Sequence, residues 1–152
     1  ETDTEEQLRA QLKRLLESQK MTEQEAECIR IRDIRRFVES GLGQRMKKAA
    51  MKKHLYREQP FVIQRSASML DDGWKNETVL VQGIIDAYFM EEEEIVLVDY
   101  KTDRVKRGQE QKLIDLYHVQ LEDYARALER MTGKRVKEKI IYSFTLQKEI
   151  LL

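Results

Sequence analysis

The sequence predicts an α/β domain, with a helix-rich first third followed by strands and one long helix in the order β-β-β-α-β. Two observations predict it. Up to about residue 53, apolar residues recur at helical spacing. From residue 54 onward they gather into short runs rich in Val, Ile, Tyr and Phe, interrupted by one amphipathic stretch over 109–131. At 152 residues and 41% hydrophobic content, the chain suits one domain with one modest core.

Each element has its own signal. Thr4 with Gln7 reads as a capping box, and Leu8, Leu12, Leu15 and Leu16 follow on one helical face. Thr22 with Glu25 is a second box, with Met21 and Ala26 as a weak staple. Ile31, Ile34, Phe37 and Val38 continue that helix. Gly41 and Gly43 break it, and Gln44 to roughly Lys53 forms a short basic helix. His54 to Ala67 reads as a strand, with Pro60 marking an edge or a bulge. Asp71-Asp72-Gly73 signals a turn. Thr78 to Met90 and Ile95 to Lys101 are apolar strands around a charged turn at Glu91–Glu94. Gln109 to Met131 is a helix with Leu113, Tyr117, Tyr124 and Leu128 on one side, ended by Gly133. Val136 to Leu146 is the last strand. Residues 1–53 thus form a helical N-terminal part and 54–152 the core of one domain.

Composition excludes several classes. No apolar run is long enough for a membrane span. The acidic, polar start has no signal peptide, and a chain beginning at Glu1 reads as a piece of something longer. Cys28, the one cysteine, excludes an internal disulfide, a zinc ribbon or a four-cysteine iron–sulfur cluster built from this chain, and suits a reducing compartment. The formal net charge is zero, yet charge is segregated: −4 over residues 1–29, +8 over 30–65, −8 over 66–100 and +4 over 101–152. A basic block beside an acidic one suits a phosphate-binding surface around a metal-binding carboxylate cluster, or, more plainly, solvated helix faces and an acidic turn.

The chemistry concentrates at the hairpin. A two-residue turn at Glu92-Glu93 sets Asp86 opposite Asp99 on the adjacent strand. Opposed like charges destabilise a sheet unless something compensates, and a divalent cation held by oxygen ligands would. Asp99 and Lys101 are two apart on one strand and share a face, while Tyr100 points to the other. Two carboxylates and a lysine on one face can bind a metal, orient a water and neutralise a phosphorane, the apparatus of phosphodiester hydrolysis. Gln120 and Tyr124 lie one turn apart on one helix face.

Together these residues resemble the PD-(D/E)XK nuclease superfamily, in particular its RecB-like branch. Gly83-Ile84-Ile85-Asp86 is similar to that branch's G-x-x-D segment, Asp99-Tyr100-Lys101-Thr102 to D-Y-K-T, and Gln120 through Tyr124 to Q-x-x-x-Y. Tyr56 to Phe61, Asp99 to Val105 and Gln120 to Leu128 are similar to the C-terminal nuclease domain of AddA-type helicase–nuclease subunits. The resemblance implies a restriction-endonuclease-like core, with a central mixed β-sheet flanked by helices and a helical N-terminal extension. It implies an exonuclease acting on linear DNA with Mg²⁺ (Mn²⁺ as substitute) in double-strand break repair, in the bacterial cytoplasm. ATP-dependent helicase domains of the parent chain and an AddB-type partner subunit are implied as well. By it, Asp86, Asp99 and the Tyr100 carbonyl are metal ligands and Lys101 the catalytic lysine. Gln120, Tyr124 and Thr102 support the lysine or the DNA, and Glu58 occupies a family position of unassigned role. The branch's upstream Gly-Thr-…-His segment has no counterpart here. His54 precedes the first strand, and His118 points away from the Gln120 face. No Walker motif occurs either. The alternatives are a degenerate nuclease fold that only grips DNA or a partner subunit, and a restriction-like endonuclease or resolvase.

Overall fold

A computed structural model describes the backbone of residues 2–17, 23–66 and 78–152, with side chains over 6–17, 31–65 and 78–152. Three helices come first: α1 (Thr2–Glu17), α2 (Glu23–Glu39) and α3 (Gly41–Met51). Then follow β1 (Leu55–Ser66), β2 (Thr78–Glu91), β3 (Glu94–Lys101), α4 (Glu110–Thr132), β4 (Val136–Ser143) and β5 (Lys148–Leu151). The strands form one mixed sheet in chain order, β1 to β5. All neighbours are antiparallel except β3 and β4, which run parallel because α4 carries the chain back across the sheet.

Each sheet face has its own core. α1, α2 and α3 cover one face, where Leu12, Phe37, Leu42 and Met46 meet Phe89, Val96, Val98 and Tyr142. α4 covers the other, where Leu113, Leu121 and Leu128 meet Ile85, Ile95, Leu97 and Ile141. The central strand β3 is buried on both faces from Ile95 to Tyr100. This is why it reads as a continuous apolar run rather than an alternating one. Apolar burial, at about 25 cal/mol per Å², favours this two-sided covering.

Several expectations need correction. The expected break falls at Ser40, between Glu39 and Gly41, and Gly41 and Gly43 belong to the next helix, which starts before Gln44. Ser40 is the N-cap of α3 and accepts from the Gly43 N–H at 3.1 Å. Gly43 is required by a close approach, since a Cβ there would lie 2.1 Å from the Phe37 carbonyl oxygen. Ile31, expected on the apolar face of α2, is 66% exposed. The last strand ends at Ser143, and a turn leads into β5, a strand the sequence does not signal. α1 begins before Thr4. The capping-box side chains of Thr4, Thr22 and Glu25, the Met21–Ala26 staple, the Cys28 side chain and the Asp71–Gly73 turn lie outside what the structure describes. Pro60 does sit in an edge strand, β1.

The β2–β3 hairpin has the predicted register. Glu91 pairs with Glu94 across the two-residue turn, and the ladder runs to Ala87 opposite Val98. Glu92 and Glu93 both have positive φ, 49° and 70°, as a type I′ turn demands. Gly133 caps α4 with φ 70°, its N–H reaching the Glu129 carbonyl at 2.9 Å.

Candidate active site

The regular ladder stops one residue short of Asp86, and the strands change character there. Upstream of it, Ile85 of β2 faces α4; downstream, Ala87 and Phe89 face α1–α3. β1 reverses at the facing position. Phe61 and Ile63 point to the α4 side, Leu55 packs on the other, and Glu58 between them has φ 53°. Both strands therefore reverse their faces together at Glu58 and Asp86, while the β1–β2 register is unchanged on either side. A non-glycine residue in the left-handed region costs on the order of 1 kcal/mol, so packing around the reversal must hold it.

That packing comes from α1. Gln11 Nε2 donates to the Asp86 carbonyl at 2.8 Å, Arg14 pairs with Glu58 at 2.6 Å, and the Arg57 guanidinium reaches the Gln7 carbonyl at 3.3 Å. Glu58, left without a role by the sequence, thus contacts the helix from the exposed side. Gln11 gives no sequence signal beyond its place on a leucine-rich helix.

With the ladder open, the Asp86 side chain turns inward. Its Oδ2 accepts the Tyr100 N–H at 2.9 Å, in place of a β2 carbonyl. Asp99 stands across from it and is 3% exposed. Burial raises the Asp86 carboxyl to about 7, helped by the Asp99 charge and by a hydrogen bond between the two carboxyls. Burial also raises Asp99, against the opposing pull of Lys101. The two acids therefore share a proton near neutrality.

Lys101 closes the group. Its Nζ lies 2.9 Å from Asp99 Oδ2 and donates to Gln120 Oε1 at 3.0 Å. Asp99 Oδ2 nevertheless has no well-aligned donor and is fully buried. Tyr124, one turn beyond Gln120, is 9% exposed and packs edge-on against Phe61, with ring centroids 5.0 Å apart. Burial, then the Asp99 and Asp86 charges, pushes its phenol up to about 12, so the hydroxyl stays a neutral donor near the acids. Gly83 leaves room for this packing, because a Cβ there would lie 3.0 Å from the Phe61 ring. The Tyr100 ring is locked on the opposite face by Phe37, at 5.4 Å between centroids, and by Met46. That anchor fixes the β3 backbone between Asp99 and Lys101. The Thr102 carbonyl accepts from Thr145 Oγ1 at 3.4 Å.

The geometry suits a divalent cation. A half-buried carboxyl raised to about 7 faces a fully buried one with an unsatisfied oxygen, and a cation could neutralise the pair. The site is sparse, since no group of three or more His, Cys, Asp or Glu forms among the described residues. His118 is exposed and caps carbonyls of its own helix, as its position two before Gln120 predicts.

Two residues of the basic block are engaged in ion pairs within the fold. Arg45 pairs with Glu91 and Glu138, each at 2.7 Å, and Arg65 with Asp123 at 3.0 Å. These two basic residues brace the sheet. A cleft of about 640 Å³ opens at the Glu91–Glu93 turn, lined by Arg45, Lys48, Lys52, His54 and Lys137. Neither Asp86 nor Asp99 lines it, so the cleft is separate from the acid pair. Sequence reasoning missed Tyr117 as a site residue, although its ring lies 3.9 Å from Lys101 Nζ. Its spacing of three from Gln120 was the available signal, masked by its place on the apolar side of the helix.

Comparison with known proteins accords with this arrangement. Residues 1–150 match the PD-(D/E)XK nuclease superfamily. The chain is 39% identical over 150 residues to the A-type ATP-dependent helicase/nuclease subunit of Clostridium novyi (strain NT), covering 95% of this chain and 12% of that protein. It is 43% identical over 144 residues to the protein of the same name from Acetivibrio thermocellus, covering 91% of this chain and 11% of that one. A third, from Thermoanaerobacter sp. (strain X514), is 41% identical over 141 residues, 90% of this chain and 11% of that protein. The chain thus spans about an eighth of the relatives it matches. No described helix is long and apolar enough to cross a membrane. The sheet topology, the paired acids on neighbouring strands and these matches lead to one conclusion: the chain belongs to the PD-(D/E)XK nuclease superfamily.

Proposed function

We propose that this chain is the metal-dependent DNA exonuclease domain of a helicase–nuclease complex that processes double-strand breaks for recombinational repair in the cytoplasm. The observation that supports the reading is the contact between the Asp86 and Asp99 carboxyls, with Lys101 Nζ 2.9 Å from Asp99. Asp86, Asp99 and the Tyr100 carbonyl would hold Mg²⁺, with Mn²⁺ as a substitute. A divalent cation in such a site polarises a phosphate and lowers the pKa of a water.

The chain's own residues account for the rest. Lys101 sets a positive charge where the phosphate gains negative charge on attack. Gln120 accepts from that ammonium and keeps its long side chain aimed. The neutral Tyr124 phenol and the Thr102 segment would support the lysine or contact the scissile strand. The helicase activity and an AddB-type partner subunit belong to the parent complex, as the names of the relatives suggest for the helicase.

Cleavage by the full-length chain tests the reading. Lys101→Ala is expected to slow Mg²⁺-dependent degradation of linear DNA by at least about a hundredfold, with closed circles resistant throughout. An unchanged rate in that variant would remove the catalytic assignment. Equal cutting of circles would favour a restriction-like endonuclease.

A further inference from the structure

Lys101 makes a third contact that lies outside the Gln120–Tyr124 pair. Its Nζ sits 3.9 Å from the centroid of the Tyr117 ring. The ring is tied down at its far end, where the hydroxyl donates to Asp103 Oδ2 at 2.7 Å. Asp103 is itself fixed, since its carbonyl accepts from Thr145 Oγ1 at 2.7 Å. Tyr117 therefore joins α4 to the loop that follows β3.

The chemistry of the contact differs from that of its neighbours. Gln120 Oε1 fixes one N–H direction of the ammonium, while Asp99 Oδ2, 2.9 Å away without an aligned N–H, pairs with its charge. A ring face attracts the charge without demanding a particular N–H. The ammonium is thus held in place and remains able to turn an N–H toward a phosphate oxygen. A third oxygen there would have consumed that donor.

We propose that Tyr117 is a positioning residue for cleavage, its ring, anchored by Asp103, holding the Lys101 ammonium at the Asp86–Asp99 pair. This rests on the nuclease reading above.

The test compares Tyr117→Leu, Tyr117→Phe and Lys101→Ala in the full-length chain, with kcat, KM for linear DNA and Tm measured for each. Tyr117→Leu is expected to lower kcat about tenfold, with KM within about twofold of the unmodified protein. Tyr117→Phe keeps the ring and is expected to restore kcat to within about threefold. If Leu lowers Tm appreciably, Tyr117→Met, closer in length, takes its place with the same expectation. A Leu or Met variant that folds and cuts at the unmodified rate overturns the proposal. So does a Phe variant as slow as Leu, or a rise in KM with kcat unchanged, which would mark a DNA contact. Lys101→Ala separates the two levels. If it is slow while the Tyr117 variants are normal, only this inference fails; if it cuts at the unmodified rate, the nuclease reading itself fails.

Discussion

Asp86 Oδ2 accepts the Tyr100 N–H at 2.9 Å, so a side chain occupies the place where the β2–β3 ladder would have continued. The acid is thereby drawn between two strands and partly shielded from water. The Asp86–Asp99 pair is consequently costly in the absence of a counter-charge, and the cost has measurable signs.

The first sign is in stability. Burial raises Asp86 to about 7, above the usual carboxylate value of 3.8. The folded state then binds a proton that the unfolded state has released, so the contribution of Asp86 to metal-free stability is greatest in acid and falls as pH rises from about 4 toward 7. Asp86→Asn, which stays neutral, is expected to raise the Tm of the metal-free chain at pH 8. The gain is on the order of a few kcal/mol at most. A lower Tm in the variant at pH 8 would mean that the carboxylate is satisfied in some other way. Added Mn²⁺ should raise the Tm of the unmodified chain and leave that of the variant unchanged.

Metal affinity should follow the same proton. A cation that displaces it binds more weakly as pH drops through about 7, approaching a tenfold loss per pH unit below. Calorimetry of Mn²⁺ binding in buffers of different ionisation enthalpy, at pH 6, should detect proton release. Affinity independent of pH between 5 and 8 would contradict the shared-proton arrangement.

Gln120→Ala removes the acceptor that aims Lys101. The expected outcome is a kcat about tenfold lower, with KM for DNA little changed. A change confined to KM would make Gln120 a DNA contact instead.

Gly43→Ala tests the packing of the helical face. Alanine ordinarily favours a helix over glycine by about 1 kcal/mol. Here the new Cβ would meet the Phe37 carbonyl at 2.1 Å, an overlap with backbone that no rotamer relieves. Chemical denaturation should show destabilisation by about 2 kcal/mol or more. A stabilised variant would show that α3 can slide away from the end of α2.

The sequence made the hairpin legible because the turn between Glu91 and Glu94 has two residues and the strands around it are regular. Register follows from turn length, and it put Asp99 across from Asp86. The helices of the first third were legible from Leu8, Leu12, Phe37 and their spacing. What escaped was set by tertiary contact. The face reversal at Glu58 and Asp86 depends on Gln11 and Arg14 arriving from a helix more than forty residues away in sequence. Gly41 and Gly43 carry the ordinary signature of a break, and only the fold shows that Ser40 caps a helix there and that the nearby Phe37 carbonyl demands glycine at 43. β5 is four residues long, too short for a period to show. Arg45 and Arg65 read as surface charge until the fold brought Glu91, Glu138 and Asp123 to them.

The central claim is that Asp86 and Asp99 together bind a divalent cation, and Mn²⁺ titration of this chain beside its Asp99→Ala variant tests it most directly. The nuclease reading predicts saturable binding at one site near pH 8 that disappears in the variant. Equal binding by both proteins, or none by the unmodified chain, would contradict it.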